Sequence, residues 1–571
     1  MRQIRGIPAS PGIAIGQAWL YRPERVTVEQ QRVSDPEVEW LRLQAAVNVV
    51  RNRLQALYEK ALASVGEEEA EIFLAHQEFL TDQELMRGIR ETIFTQKLNA
   101  EYAVKAEFDT YAAALAELDD PYLRARAQDL EDVSMQVIRS LQGQESDGSG
   151  LLTRPSVIIA EDLTPSDTIQ FDKDKILGIC IAKGGPTSHT AILARSLGVP
   201  AVVSAGFDIE DIERGVLTVV DGDEGTMIMG PALAVLESAR QKQAAWQKAR
   251  SEQLTSAHQP AVTLDGHRVE VAANIGGVDD ARKAIEMGAE GVGLFRTEFL
   301  YLDRTELLDI EEQVAIYQGV VKVMDGRPLV VRTLDIGGDK SVPYLGLAEE
   351  PNPFLGWRGI RMVRERPDIL ANQFEALLRA GVGGDIRIML PMVSGPGEVK
   401  RAKEILDETV ASLKAQGVSM PEKLQFGIMI EVPSAALLAH HLAPLVDFFS
   451  IGTNDLTQYT LAVDRTNERV TNLASPYNPA VLQLIARTIE AAHAHGKWVG
   501  MCGELAGDVL AVPVLLGMGL DEFSMAASSI PSVKEEIRRW SMARAKEVAQ
   551  EVLGMAGSTE VLEYLKGLTP S

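Results

Sequence analysis

Hydrophobic spacing divides the chain into stretches of different period. The first 22 residues form short apolar runs broken by Pro and Gly (Ile4-Arg-Gly-Ile-Pro-Ala-Ser-Pro-Gly-Ile-Ala-Ile-Gly16), which predicts short strands. From about 34 to 143 apolar residues recur at helical spacing in a block almost free of Gly. Examples are Trp40-Leu-Arg-Leu-Gln-Ala-Ala-Val-Asn-Val-Val-Arg-Asn-Arg-Leu54 and Ala103-Val-Lys-Ala-Glu-Phe-Asp-Thr-Tyr-Ala-Ala-Ala-Leu115. That block predicts a bundle of about four helices. The polar run Glu145-Ser-Asp-Gly-Ser-Gly150 reads as a linker, after which residues 151–230 return to short strands and helices. The expected organisation is an α/β domain made of residues 1–22 and 146–230, interrupted by a helical insert over 23–145. A Gln- and Ala-rich helix, about 233–256, follows within a linker over 231–261.

Residues 262–571 carry a different signal. Eight β-like runs alternate with helical stretches: Arg268–Asn274, Gly291–Arg296, Leu329–Asp335, Ile386–Met392, Phe426–Glu431, Phe448–Asp455, Trp498–Glu504 and Asp521–Met525. Eight β/α units in one region predict a (β/α)8 barrel, so the chain is expected to be a multidomain α/β protein. Polar residues gather at the C-terminal ends of these runs: Asn274, Arg296, Glu298, Arg332, Asp335, Glu431, Asn454, Asp455, Cys502 and Glu504. In such barrels that end is the active-site face, whereas scattered loop charges would have to coincide on most of the strands.

Composition narrows the class. The length of 571 residues suggests two to four domains, and 46% hydrophobic with 24% charged residues is ordinary for a globular chain. A formal net charge of −25 argues against nucleic-acid binding, which needs a basic face, and fits a partner bearing a basic patch. The two cysteines, Cys180 and Cys502, cannot build a disulfide framework. No signal peptide or membrane-spanning apolar run is legible, so a cytoplasmic location without membrane insertion is expected.

Two constellations carry chemistry. The apolar run Ile176-Leu-Gly-Ile-Cys-Ile-Ala182 reads as a buried strand, and Gly184-Gly185 as a turn into a helix capped by Thr187 or Ser188 and ended by Gly198. His189 then lies in the first helical turn, where unpaired N–H groups and the helix dipole favour an anion such as a phosphoryl group on its ring. The alternative is a capping-region histidine without chemistry. At the barrel mouth, Glu431 and Asp455 end neighbouring strands, and hard oxygen ligands without His or Cys suit Mg2+. Arg296, Arg332, Arg465 and Arg358 are candidates to clamp phosphate and carboxylate, although any one of them could instead be a structural ion pair. Cys502 faces the same mouth. It is either a general acid able to protonate an enolate or a buried small hydrophobe.

Gly184-Gly-Pro-Thr-Ser-His-Thr-Ala-Ile-Leu-Ala-Arg195 resembles the phosphohistidine signature of enzyme I of the bacterial phosphotransferase system, within the PEP-utilising enzymes. Asp447-Phe-Phe-Ser-Ile-Gly-Thr-Asn-Asp-Leu-Thr-Gln458 resembles the substrate-site signature of the same family, and the likeness spans essentially the whole chain. The resemblance implies that His189 accepts the phosphoryl group of phosphoenolpyruvate and passes it to a histidine of the phosphocarrier protein HPr, the first step of sugar uptake. It implies substrate contacts from Arg296, Arg332, Asn454, Asp455 and Arg465. It further implies Mg2+ on Glu431 and Asp455, Cys502 as proton donor to form pyruvate, HPr docking on the helical insert, a swing about the linker, and a homodimer through the barrel. Acidic residues of the insert such as Glu67, Glu68, Asp82 and Glu84 are candidates to meet a basic rim on HPr. Pyruvate phosphate dikinase and phosphoenolpyruvate synthase share the phosphohistidine motif, but only 183 residues precede it here, mostly the helical insert, where those enzymes carry a nucleotide-binding domain. A dikinase-like enzyme without that domain, or a non-catalytic phospho-relay regulator, are the other readings.

Overall fold

A computed structural model of the chain describes residues 1–22, 27–64, 67–116, 121–144, 152–169, 171–185, 188–302, 304, 307–337, 350, 352–464, 470 and 473–568. The chain forms two compact units, Met1–Ala249 and Arg250–Ser571.

The first unit is built on an eight-stranded sheet. Its strands are β1 (Arg2–Arg5), β2 (Ile7–Ser10), β3 (Ile13–Tyr21), β4 (Ser156–Ala160), β5 (Ile176–Ile181), β6 (Ala201–Val203), β7 (Leu217–Asp221) and β8 (Thr226–Met229). They lie in the order β1-β8-β7-β3-β4-β5-β6-β2, with β3 to β6 parallel and the remaining pairs antiparallel. Strand periodicity distributes the apolar side chains over two faces. On β4, Ile158 and Ala160 join one buried cluster while Val157 and Ile159 join another.

Between β3 and β4 the described residues form five helices, α1 (Pro36–Ser64), α2 (Glu67–Phe79), α3 (Gln83–Gln96), α4 (Ala100–Ala116) and α5 (Pro121–Leu141). Helical spacing alone suggested about four, because a single Gly at position 66 among helix-forming residues is a weak stop signal. The helices share a core that includes Leu43, Leu54, Phe73, Ile93 and Phe108. Further on come the short α6 (Pro165–Thr168), then α7 (His189–Leu197) and the long α8 (Leu233–Ala257). The linker 145–150 lies outside the described residues.

In the second unit β9 (Ala261–Val262) pairs antiparallel with β10 (Arg268–Ile275). Parallel strands then follow: β11 (Val292–Arg296), β12 (Pro328–Arg332), β13 (Asp385–Leu390), β14 (Gln425–Ile430), β15 (Phe448–Ile451), β16 (Trp498–Met501) and β17 (Glu522–Met525). β17 pairs with β10 and β10 with β11, so the eight parallel strands close into the expected barrel.

Alternation again separates two layers. Leu329, Val331, Ile386 and Ile388 face the surrounding helices, whereas Leu294, Val330, Met389, Met429, Phe448 and Cys502 form a separate buried cluster inside. At the N-terminal end of the barrel the interior is polar. Glu270 and Glu522 are register partners on β10 and β17, and the Glu522 carboxylate occupies space that a Cβ on Gly293 or Gly500 would need. Among the described residues no helix is long and apolar enough to cross a membrane.

Candidate active site

Two places hold the predicted chemistry. In the first unit β5 leads through Gly184 and Gly185 to α7, and His189 is the first residue of that helix. Ser188 is the cap: its hydroxyl accepts a hydrogen bond from the Ala191 N–H at 3.4 Å. The other candidate cap, Thr187, lies outside the described residues. Gly198 ends the helix in the left-handed region at φ 64°, as its lack of a Cβ permits. The backbone therefore places His189 among the unpaired N–H groups of a helix start.

The C-terminal end of the barrel gathers the second set. Arg296 and Arg332 end β11 and β12 at paired register positions. Arg332 is buried and ion-paired to Glu298, with Asp335 Oδ2 at 3.2 Å. Burial alone would weaken its charge, but the carboxylates of Glu298 and Asp335 outweigh that and hold its proton more tightly than usual. Arg296 is half-buried, and no ion pair or hydrogen bond joins its side chain to another described residue.

Arg358 joins two acids at once. Its Nε and Nη2 donate to the two oxygens of Asp335, each at 3.0 Å. Its Nη1 and Nη2 donate to the two oxygens of Asp455, each at 3.1 Å. Gly359 follows it at φ +58°, a left-handed conformation in which a Cβ would crowd Met392 and Asp335. In this structure the Arg358 fork is thus engaged by carboxylates. Asp455 sits in the first turn of the helix Thr453–Leu461, beside Asn454, whose amide donates to Glu504 Oε1 at 2.9 Å and accepts from the Glu504 N–H at 3.1 Å.

Glu431 follows β14 and is buried. Its Oε1 accepts the Met392 N–H at 2.6 Å, an approach made possible by the left-handed φ of 57° at Met392. Its Oε2 lies against Gly452 and has no hydrogen-bond partner among the described residues. Burial, then the neighbouring Asp455 and Asp335 carboxylates, push the Glu431 carboxyl up to about 8. A buried carboxylate oxygen without a partner, close to a second carboxylate, is what a hard cation would satisfy. Among the described residues no three His, Cys, Asp or Glu form a metal cage. Asp455 retains a second lone pair on each oxygen besides those directed at Arg358.

Cys502 follows β16 and tops the inner apolar cluster, next to the arginines. Burial is the main reason its thiol is pushed up to about 11, so it is protonated at neutral pH. A neutral thiol at the mouth can donate a proton but is a poor nucleophile. The remaining candidate, Arg465, lies outside the described residues.

Some members of the site had no role assigned from sequence. Asp335 and Glu298 were visible only as polar residues at strand ends. Met392 gave no signal, because its contribution is a backbone N–H. In the insert, Asp82 caps α3 by accepting the Leu85 N–H at 2.8 Å, and Glu84 pairs with Arg87 at 3.1 Å, so both carboxylates already have local structural partners.

Comparison with known proteins identifies the family. Residues 249–542 match the family described as PEP-utilising enzyme, PEP-binding domain; residues 152–225 match the mobile domain and residues 5–126 the N-terminal domain of the same enzymes. The chain is 45% identical over 565 residues to the phosphoenolpyruvate-protein phosphotransferase of Priestia megaterium, covering 99% of each chain. It is 42% identical to the protein of that name from Haemophilus influenzae, covering 99% of this chain and 98% of the relative. A solution structure of Enzyme I covers 43% of this chain and 99% of its own, at 40% identity and a TM-score of 0.37. Full-length similarity to the curated relatives, together with the three domain matches, means that the chain belongs to the phosphoenolpyruvate–protein phosphotransferases, within the PEP-utilising enzymes.

Proposed function

We propose that the chain moves the phosphoryl group of phosphoenolpyruvate onto His189, releases pyruvate, and passes the group to a histidine of the phosphocarrier protein HPr. The observation that carries this reading is the cluster at the barrel mouth, where Arg296, Arg332 and Arg358 converge with Glu431, Asp455 and a protonated Cys502. Phosphoenolpyruvate carries both a phosphate and a carboxylate, the two groups that guanidinium forks bind best. Arg296 and Arg332 supply two of those forks, and by family resemblance Arg465, Asn454 and Asp455 complete the grip, while Arg358 holds Asp335 and Asp455 in place. Glu431 and Asp455 would hold Mg2+, which when bound supplies positive charge against the phosphate and the departing enolate.

The chain's own residues perform the transfer. A neutral ring nitrogen of His189 attacks phosphorus while the bond from phosphorus to the enol oxygen breaks, with positive charge already in place around the phosphoryl oxygens. The Cys502 thiol then gives its proton to C3 of the enolate, producing pyruvate and a thiolate that regains a proton from water. On His189 the phosphoryl group rests at a helix start, whose N–H groups favour an anion. The second half-reaction needs a protein acceptor, for which the helical insert is the proposed docking platform. By the same resemblance the chain works in the cytoplasm as a homodimer through the barrel.

Labelled phosphoenolpyruvate with Mg2+ should leave acid-labile, base-stable phosphate on the protein, transferable to HPr. His189→Ala should abolish it. Phosphate retained by that variant would overturn the assignment.

A further inference from the structure

A buried glutamine joins the two segments that follow the arginine-ended strands β11 and β12 at the barrel mouth. Gln373 sits on the helix Pro367–Ala380, packed on the outside of the barrel among Ile369, Leu370, Phe374 and Leu377, and is 1% exposed. Its Oε1 accepts the Leu334 N–H at 2.9 Å. Its Nε2 donates to Thr297 Oγ1 at 3.0 Å and to the Tyr317 hydroxyl at 3.1 Å. Thr297 in turn donates its hydroxyl to the Arg332 carbonyl at 2.8 Å. One amide thereby connects Thr297, which lies between Arg296 and Glu298, to Leu334, which lies between Arg332 and Asp335.

We infer that Gln373 is a positioning residue for the phosphoryl-transfer site: it sets the relative placement of Arg296 and Glu298 against Arg332 and Asp335 without touching the substrate. The chemistry of the node supports this over simple filling of space. A polar side chain on the core face of an amphipathic helix forfeits favourable burial unless its hydrogen bonds are made, and every partner of Gln373 belongs either to a mouth loop or to Tyr317, which orients it. Leucine would fill the same volume with no donor or acceptor. An arginine pair that must grip one small anion tolerates little relative displacement, since an error near 1 Å costs on the order of a hundredfold in rate.

The inference rests on the phosphoenolpyruvate reading, and the test separates the two. Pyruvate release from phosphoenolpyruvate is measured for the full-length parent chain first; a parent that releases none defeats the functional reading itself. Given an active parent, Gln373→Ala should lower kcat/KM at least tenfold per folded molecule, with the change in both kcat and KM rather than in active fraction. Gln373→Glu supplies a readout that a packing role would not move. Ionised, its carboxylate accepts from Leu334 but cannot donate to Thr297; protonated, it regains one donor and one acceptor. Its kcat/KM relative to the parent should therefore rise as pH falls from 8 to 6. A Gln373→Ala chain within twofold of the parent, or a Gln373→Glu ratio flat with pH, would overturn the inference. Should the alanine variant not fold, the glutamate ratio decides alone.

Discussion

Arg358→Leu is the perturbation with the largest effect that the barrel mouth implies. The guanidinium is buried and makes four hydrogen bonds, at 3.0, 3.0, 3.1 and 3.1 Å, to two carboxylates that are themselves buried. Leucine keeps much of the volume but removes the cation. Asp335, Asp455 and Glu431 would then share one pocket with Arg332 as the only deeply buried positive charge among the described residues beside them. Breaking a buried pair from one side costs about 3–5 kcal/mol, because the orphaned charge stays desolvated. At about 2 °C per kcal/mol for a unit of this size, the barrel transition should fall by roughly 6–10 °C. Protonating one orphaned carboxylate relieves part of the penalty, so the loss should be larger at pH 8 than at pH 5. Scanning calorimetry of the full chain at the two pH values measures both quantities. An Arg358→Leu protein melting within about 2 °C of the parent at pH 8 would show that Arg358 does not neutralise these acids.

Three further outcomes follow from other parts of the barrel. Cys502→Ala should slow pyruvate formation severely while leaving the melting temperature nearly unchanged, and in the parent iodoacetamide should alkylate this thiol only above about pH 10, given the upward shift from burial to about 11; fast labelling at pH 7 contradicts a protonated donor. Gly503→Ala would place a Cβ 1.9 Å from the Thr453 hydroxyl and 2.4 Å from its backbone nitrogen, forcing Cys502 away from the helix that bears Asn454 and Asp455. Pyruvate release should drop at least tenfold, and normal kinetics would show that the two loops give way without cost. Glu522→Gln tests the opposite end: burial, then the Glu270 charge, raise the Glu522 carboxyl from 4.5 to about 8. The folded state then keeps its proton where the unfolded chain has lost it. The stability from the neutral form is full below pH 4.5 and is lost as pH rises toward 8. The glutamine variant should match the parent at pH 4.5 and exceed it in urea midpoint at pH 9; equal midpoints at both would remove the buried neutral acid from the account.

The barrel was legible in the sequence because its strands are buried on both faces and bounded by helical stretches, a repeating contrast that eight apolar runs made plain. The polar residues closing those runs marked the mouth for the same reason: a strand end is where side chains leave the packed interior. His189 was legible because a strand, two glycines and a capping serine are local features. The division of the insert into five helices was not, since an isolated Gly such as Gly66 among strong helix formers is a weak stop signal.

What the linear chain determined is therefore the set of elements and the residue types at their ends, both governed by neighbours within a few positions. Pairing within that set was decided only in three dimensions. Arg358 and Asp455 are 97 residues apart, Glu431 and the Met392 N–H 39, and Gln373 and Thr297 76. Each contact exists because barrel closure brings distant segments together, where a buried donor or acceptor must find a partner at hydrogen-bond distance. No local period encodes which partner that is.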